Sequence, residues 1–376
     1  MTFPPKALLL SRTLRKFTRP GRGNTAPLPS AHPIAQTHAP TTPPSRAQLR
    51  SARARDPAAG QAFPYSVRMQ AGAVIAIGGA EAKLRRRSVL QAFVNEAGGS
   101  AARIAVVPSA SSLGPEVVEV YRAVFTSLGA ADVIELRPRT RAEATAELAA
   151  PLAEVSGIFM TGGNQLKLSA FITGTPFGDA MIAANARGVV IGGTSAGASI
   201  LAEHMIAFGS GGSTPKQRMS QLAVGLGLVP GAVIDQHFEQ RNRYGRLLSL
   251  VAQSPSLLGI GIDEDTAAVI RDGRLSVVGK GSVTIVDGRN LVSNAYEAKR
   301  TAPLLVSGAV LHVLPAGGAF DLATRSLIVF DTPVEELELE ELRAAESDLQ
   351  DMAREIAAEG VSPTDYARHL RRGRRG

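Results

Sequence analysis

From Ala73 onward the chain alternates short, unbroken apolar runs with longer stretches whose apolar residues recur every three or four positions. "AVIAIGG" (Ala73–Gly79) and "ARIAVVPSA" (Ala102–Ala110) are of the first kind and predict buried strands. "LRRRSVLQAFVNEAGG" (Leu84–Gly99) and Glu116–Leu128 are of the second kind and predict amphipathic helices, the first stopped by glycine. "DVIELR", "GIFMTGG" and "GVVIGGTSAG" add further strands with helical stretches between them. Strands that are apolar throughout need cover on both faces. The pattern therefore predicts an α/β protein with a doubly wound, mostly parallel sheet.

After Asp265 the texture becomes β-rich. "TAAVIRDGRLSVVGKGSVTIVDG" places Asp272-Gly273 and Asp287-Gly288 between alternating strands, a hairpin signal, and predicts a C-terminal antiparallel extension. Thr332-Pro333-Val334-Glu335 then resembles a capping box. The helix it would open carries Leu342, Ala345, Leu349, Met352 and Ile356 at heptad spacing, for packing onto its own domain or a partner subunit. At the other end, residues 1–68 hold eleven of the 23 prolines and no sustained periodicity. They read as a disordered basic tail, or as an over-long start with the natural one at Met69. The expected organisation is this tail, a catalytic domain over 69–332 and a helical extension over 333–376.

Composition narrows the function. The net charge of +8 is local, because residues 1–68 carry eleven Lys or Arg against the one acid Asp56 and the remainder is slightly acidic. A basic tail on a near-neutral body argues against nucleic acid as partner of the folded part. The apolar runs are short and broken by glycine, so no membrane span is expected. Cysteine is absent, which removes disulfides and thiolate chemistry and fits a reducing, cytoplasmic setting. The six histidines lack metal-ligand spacing, so neither a metal nor another cofactor is expected.

Candidate chemistry gathers at predicted strand ends, where parallel sheets collect their ligands. Gly193-Thr194-Ser195-Ala196-Gly197 has the spacing of a nucleophile elbow, with Ser195 between small neighbours that let a substrate approach. A base for this serine is found in His237, within "VIDQHFEQRNRYGRLL". Arg243 and Arg246 in the same stretch share a face if helical, and guanidinium groups beside a base suit a carboxylate-rich substrate. "GIGIDEDTA" supplies Asp263, Glu264 and Asp265 as alternatives for the carboxylate that orients the histidine. Gly162 and Gly163 in "FMTGGNQLKL" expose N–H groups which, with that of Ala196, are placed to form an oxyanion hole.

In this order, "IGGAEAK", "TGGNQLKL", "GGTSAGAS", "DQHFEQRNRYGRLL" and "GIGIDEDTA" resemble the cyanophycinase family. These are serine exopeptidases of the aspartyl-dipeptidase superfamily, with a class I glutamine-amidotransferase-like (flavodoxin-like) fold. The resemblance covers about Ala71–Leu322 and implies hydrolysis of cyanophycin, a poly-aspartate bearing arginine on its β-carboxyls, to β-Asp-Arg dipeptides. It implies Ser195 as nucleophile, His237 as base and Glu264 as orienting acid. It also implies a substrate pocket of Gln165, Asp235, Gln236, Arg241, Arg243 and Arg246, with Asp235 partnering a substrate arginine, no cofactor, and a homodimer. Lys167 stands where the family has arginine. The rival readings are an aspartyl dipeptidase acting on short Asp-X peptides and a catalytically silent module that binds an acidic polymer.

Overall fold

The structure, a computed structural model, describes residues 71–84 and 87–328, with Arg343 and Ser347 beyond them. The expected tail over 1–68 and the capping box and helix after Thr332 lie outside the described residues.

The first half of the domain follows the alternation of the sequence. Strand β1 (Val74–Ile77), helix α1 (Ser88–Glu96), β2 (Arg103–Val107), α2 (Glu116–Ser127) and β3 (Asp132–Glu135) come first. They are followed by α3 (Ala146–Ala149), β4 (Gly157–Met160), α4 (Gln165–Ile172), α5 (Pro176–Ala186), β5 (Val190–Thr194) and the single turn α6 (Ala196–Ser199). The strands β1, β5, β4, β2 and β3 pair in that order, all parallel. Alternate residues of β1 enter two different cores. Ala73, Ile75 and Ile77 pack with the apolar stripes of α1 and α2, whereas Val74 and Ala76 join a core that α4 and α5 cover. That division is why β1 reads as one uninterrupted apolar run.

The second half is β6 (Ala202–Gly209), β7 (Ser220–Val224), β8 (Val229–Gln236), α7 (Tyr244–Gln253), β9 (Leu258–Ile262), β10 (Thr266–Arg271), β11 (Arg274–Gly279) and β12 (Val283–Asp287). The short β13 (Val292–Ser293) and β14 (Val306–Ser307), then β15 (Val310–Leu314), β16 (Ala319–Asp321) and β17 (Ser326–Ile328), complete it. These strands divide between two sheets. β10, β11, β16 and β17 extend the first sheet in antiparallel fashion from β1. β15, β12, β9, β8, β6 and β7 form a second, six-stranded sheet in which β6, β8 and β9 are parallel. One face of this sheet, including Ile234 and Ile260, shares the core of the first sheet; the other, including Val233 and Val286, is covered by α7 through Leu247 and Val251.

The Asp272-Gly273 turn does close the β10–β11 hairpin, with both residues at positive φ. Asp287-Gly288 does not close one; Asp287 is buried and paired with Arg289 (2.7 Å) and Arg325 (2.7 Å). Between β11 and β12 the chain changes sheets instead of turning back. The helix that follows Ser195, α6, stops after one turn. The carbonyls of Ile200 and Leu201 are taken by the N–H groups of Leu226, Leu228 and Val229, so the chain leaves the helix and enters β6.

Gly192 of β5 lies under Phe93, whose ring packs with Phe125 and Phe159. A Cβ there would stand 2.7 Å from Phe93 Cδ2. Gly192→Ala is expected to destabilise the domain by about 1–3 kcal/mol through overpacking, read as a lower denaturant midpoint at unchanged slope.

Candidate active site

The residues of the candidate relay and the glycine turns beside it stand just past the carboxyl ends of parallel strands. Ser195 follows β5, Gly162-Gly163 follow β4 and Gly78-Gly79 follow β1 in the first sheet; His237 follows β8 and Glu264 follows β9 in the second. Serine and histidine therefore come from different sheets and meet where the two sheets share a core.

Ser195 adopts φ 52° and ψ −109°, a conformation costly for any residue with a Cβ. It is held by three backbone bonds: its N–H donates to Ile77 O (3.0 Å), and its carbonyl accepts from Ala198 N (3.0 Å) and Ser199 N (3.1 Å). The sharp turn leaves its side chain half-buried at the sheet end. Ser195 Oγ is 2.8 Å from His237 Nε2, and His237 Nδ1 is 2.6 Å from Glu264 Oε1. The imidazole thus bridges hydroxyl and carboxylate, with the tautomer set by Glu264: Nδ1 donates to the carboxylate and Nε2 is left to accept from the serine.

The other two acids of the stretch are engaged elsewhere. Asp263 accepts from Glu239 N (3.1 Å) with Oδ1, and from Ser282 N (2.9 Å) and Ser282 Oγ (2.8 Å) with Oδ2. Asp265 Oδ1 accepts from Ala82 N (2.8 Å). Of the three alternatives, only Glu264 touches the histidine. Gln240 Oε1 accepts from Glu264 N (2.9 Å) and fixes that residue's backbone.

Burial, as the largest influence, holds the His237 imidazole below its ordinary pKa, and the positive charges of Arg241 and Arg243 push the same way. The hydrogen bond and charge of Glu264 oppose them without prevailing. At neutral pH the ring is uncharged, the form a general base requires. Among the described residues, no acceptor is bonded to the backbone N–H groups of Gly162, Gly163 or Ala196. A Cβ on Gly162 would lie 3.3 Å from Ser195 Cβ, which puts that turn directly beside the hydroxyl.

The expected substrate pocket divides into two parts. Arg241 is exposed, and its charge acts on His237. Asp235, Arg243 and Arg246 are buried together. Arg246 Nε donates to Asp235 Oδ2 (2.6 Å) and its Nη2 to Oδ1, while Arg243 Nη1 reaches Oδ1 at 3.1 Å. Asp235 was expected to meet a substrate guanidinium; two guanidinium groups of the chain itself occupy its oxygens, and it has no exposed surface. Two cations around one anion leave a net positive charge there; Arg243, its pKa lowered to about 10 chiefly by burial, stays charged at neutral pH. Gln165 Nε2 donates to the carbonyls of Ile206 (3.2 Å) and Ala207 (2.9 Å), tying α4 to β6. Gln236 is buried, and its Oε1 has no hydrogen-bond partner among the described residues. Lys167 Nζ donates to Ser111 O (3.2 Å) at the exposed rim.

Sequence reasoning gave no part to Gly79. It sits at φ +106°, and a Cβ there would be 2.3 Å from His237 Cε1 and 2.6 Å from Nε2. The signal that marked it was the paired glycine at a strand end in "IGGAEAK".

Among the described residues no group of three or more His, Cys, Asp or Glu could hold a metal ion, and no helix is long and apolar enough to cross a membrane. Comparison with known proteins adds a family. The family model of peptidase family S51 matches residues 74–278. The chain is 44% identical to a cyanophycinase of Trichormus variabilis over 262 residues, 68% of this chain and 87% of that protein. It is 42% identical to a cyanophycinase of Synechococcus elongatus over 260 residues, 68% of this chain and 81% of that protein. A crystal structure of a peptidase from an acI-B1 actinobacterium is similar at a TM-score of 0.48 and 21% identity, over 65% of this chain and 99% of that one.

Two outcomes are expected. Gly79→Ala forces either the ring or the backbone to move and should lower kcat/KM on the order of 100-fold while far-ultraviolet circular dichroism stays unchanged. Arg241→Gln removes a positive charge that depresses the His237 pKa, so the acid limb of the pH–rate profile should move to higher pH. Histidine side-chain NMR titration reads the same shift directly.

Proposed function

The chain belongs to peptidase family S51, and from that premise we propose that it is a serine exopeptidase of the cyanophycinase type, hydrolysing cyanophycin to β-Asp-Arg dipeptides. The observation that carries the reading is the Ser195–His237–Glu264 relay, with hydrogen-bond distances at both joints and a neutral imidazole between them.

The reaction follows from the geometry. As Ser195 Oγ attacks the aspartyl backbone carbonyl, its proton passes to His237 Nε2, and Glu264 stabilises the imidazolium that forms. Negative charge on the former carbonyl oxygen is met by the N–H groups of Gly162, Gly163 and Ala196. Collapse of the tetrahedral species breaks the C–N bond, and His237 returns its proton to the departing amine. The acyl-enzyme is then hydrolysed by a water deprotonated by the same ring, which restores Ser195. Arg241 stands exposed beside this centre as a cation for the carboxylates of an aspartate polymer. The buried Arg243 and Arg246, held by Asp235, add positive potential behind it. Substrate arginine requires an acceptor other than the oxygens of Asp235. A homodimer in the cytoplasm completes the proposal, supported by the family resemblance and by the absence of cysteine; light scattering of the purified protein reads the dimer.

Incubation with insoluble cyanophycin, followed by mass spectrometry of the soluble products, tests the activity. Release of β-Asp-Arg is expected, with Ser195→Ala slower on the order of 10⁶-fold. Cleavage of short Asp-X peptides with no dipeptide from the polymer would replace the reading by that of an aspartyl dipeptidase. Silence on both substrates would favour the binding module.

A further inference from the structure

The segment after β1, Gly78–Lys83, contains a buried carboxylate that the relay does not use. Glu81 is only 4% exposed, yet three side chains donate to its two oxygens. Oε2 accepts from Thr194 Oγ1 at 2.5 Å. Oε1 accepts from the Tyr121 hydroxyl at 2.6 Å and from Lys83 Nζ at 2.8 Å, and that ammonium also lies 5.3 Å from the centre of the Tyr121 ring. Burial pushes the Glu81 carboxyl pKa up. The Lys83 charge and the hydrogen bonds from Lys83, Thr194 and Tyr121 outweigh it, so the group is held ionised.

The same segment touches the backbone beside each member of the relay. Ile77 O, just before it, accepts from Ser195 N (3.0 Å), and Gly78 O accepts from His237 N (2.8 Å). Gly79 O accepts from Asp265 N (2.9 Å), next to Glu264, and Ala82 N donates to the Asp265 side chain. Ser195, His237 and Asp265 are all non-glycine residues at positive φ, and Ala80 within the segment is a fourth. Such conformations persist only where the surroundings over-determine them. Thr194 is the residue whose orientation feeds directly into the strained Ser195, and its hydroxyl is bound to Glu81.

We propose that Glu81 is a positioning residue for Ser195: acting through the Thr194 hydroxyl, it fixes the turn that aims the serine at His237. It touches neither substrate nor the reacting atoms. A buried ion pair is weak as a stabiliser of the fold, because desolvation offsets most of its attraction. Its directional hydrogen bonds do fix one rotamer of Thr194, and an error of about 1 Å at a nucleophile costs on the order of 100-fold in rate.

The inference rests on Ser195 being the nucleophile, and the test separates the two ideas. The full chain, Thr194→Val, Thr194→Ser, Glu81→Gln and Ser195→Ala are treated with a fluorophosphonate probe, which needs no knowledge of the natural substrate. In the labelling step the serine oxygen bonds to phosphorus, fluoride leaves and the serine proton passes to His237. Intact-mass spectrometry follows the second-order labelling rate, with circular dichroism and thermal midpoints taken in parallel.

Labelling of the parent and not of Ser195→Ala is expected. Thr194→Val, nearly the same shape without the hydroxyl, should label about 10–100-fold more slowly while still folded at the assay temperature, and Thr194→Ser should recover most of the rate. Glu81→Gln should match Thr194→Val, and a chain carrying both Glu81→Gln and Thr194→Val should be no slower than the worse single variant, because both remove the same link. A folded Thr194→Val that labels at the parent rate overturns the proposal even if Glu81→Gln fails to fold. So does a loss that Thr194→Ser does not restore. An unlabelled parent overturns the nucleophile itself, and the positioning role falls with it.

Discussion

The imidazole of His237 has to lie between a hydroxyl from one sheet and a carboxylate from the other, and backbone closes the space for it on a third side. On one side is Gly79, so close to the ring that no side chain fits. On the others are Ser195 Oγ and Glu264 Oε1 at 2.8 and 2.6 Å. This confinement explains features that otherwise look unrelated. The ring is desolvated, so it stays neutral although a carboxylate is bonded to it. Its own backbone takes a positive φ, as do Ser195 before it and Asp265 after it in the chain. Strain in all three turns is tolerated because they are bonded to one another through the segment that leaves β1.

Charge is arranged around that neutral ring in layers. Asp235, Arg243 and Arg246 form a closed group with no exposed anionic surface, and a net positive charge remains at the flank of the site. Arg241, two residues before Arg243, is exposed. The buried group does not need to meet the substrate to matter. It keeps the segment after β8 in one shape, through Arg243 on Gln236 O and Arg246 Nη1 on Gly209 O at 2.9 Å. Removing a single member would leave a buried charge unpaired, which costs far more than the pair contributes.

The sequence carried the first sheet almost in full, because strands buried on both faces and amphipathic helices leave distinct periodicities. It also marked Ser195, because glycine and small residues flag a strand end that must approach other groups closely. The second sheet was not legible. β8 and β9 look like any buried parallel strands, and nothing local says that they pair with each other instead of joining β1. The one-turn helix after Ser195 was hidden for a similar reason: its end is dictated by partners 26–28 residues later in the chain, at Leu226, Leu228 and Val229. Glu264 could not be chosen over its two acidic neighbours from spacing, since the choice depends on what Ser282 and Ala82 bring to Asp263 and Asp265. The resemblance implies a ligand for Asp235, and the sequence does not show that Arg243 and Arg246 are turned toward it.

The two-sheet construction has a mechanical consequence. In a nucleophile elbow on a single sheet, serine and histidine are registered through adjacent strands. Here the registration runs through Gly78, whose carbonyl accepts the His237 N–H while its N–H donates to Thr266 of β10. β1 is the strand that pairs with β5, which carries the serine, and with β10, which follows the Glu264 stretch. The central strand of the first sheet thus sets the position of a histidine delivered by the second. The carbonyls of Ile77, Gly78 and Gly79, on three successive residues, accept from Ser195, His237 and Asp265, and so tie the serine of the first sheet to the histidine of the second through one short stretch of chain.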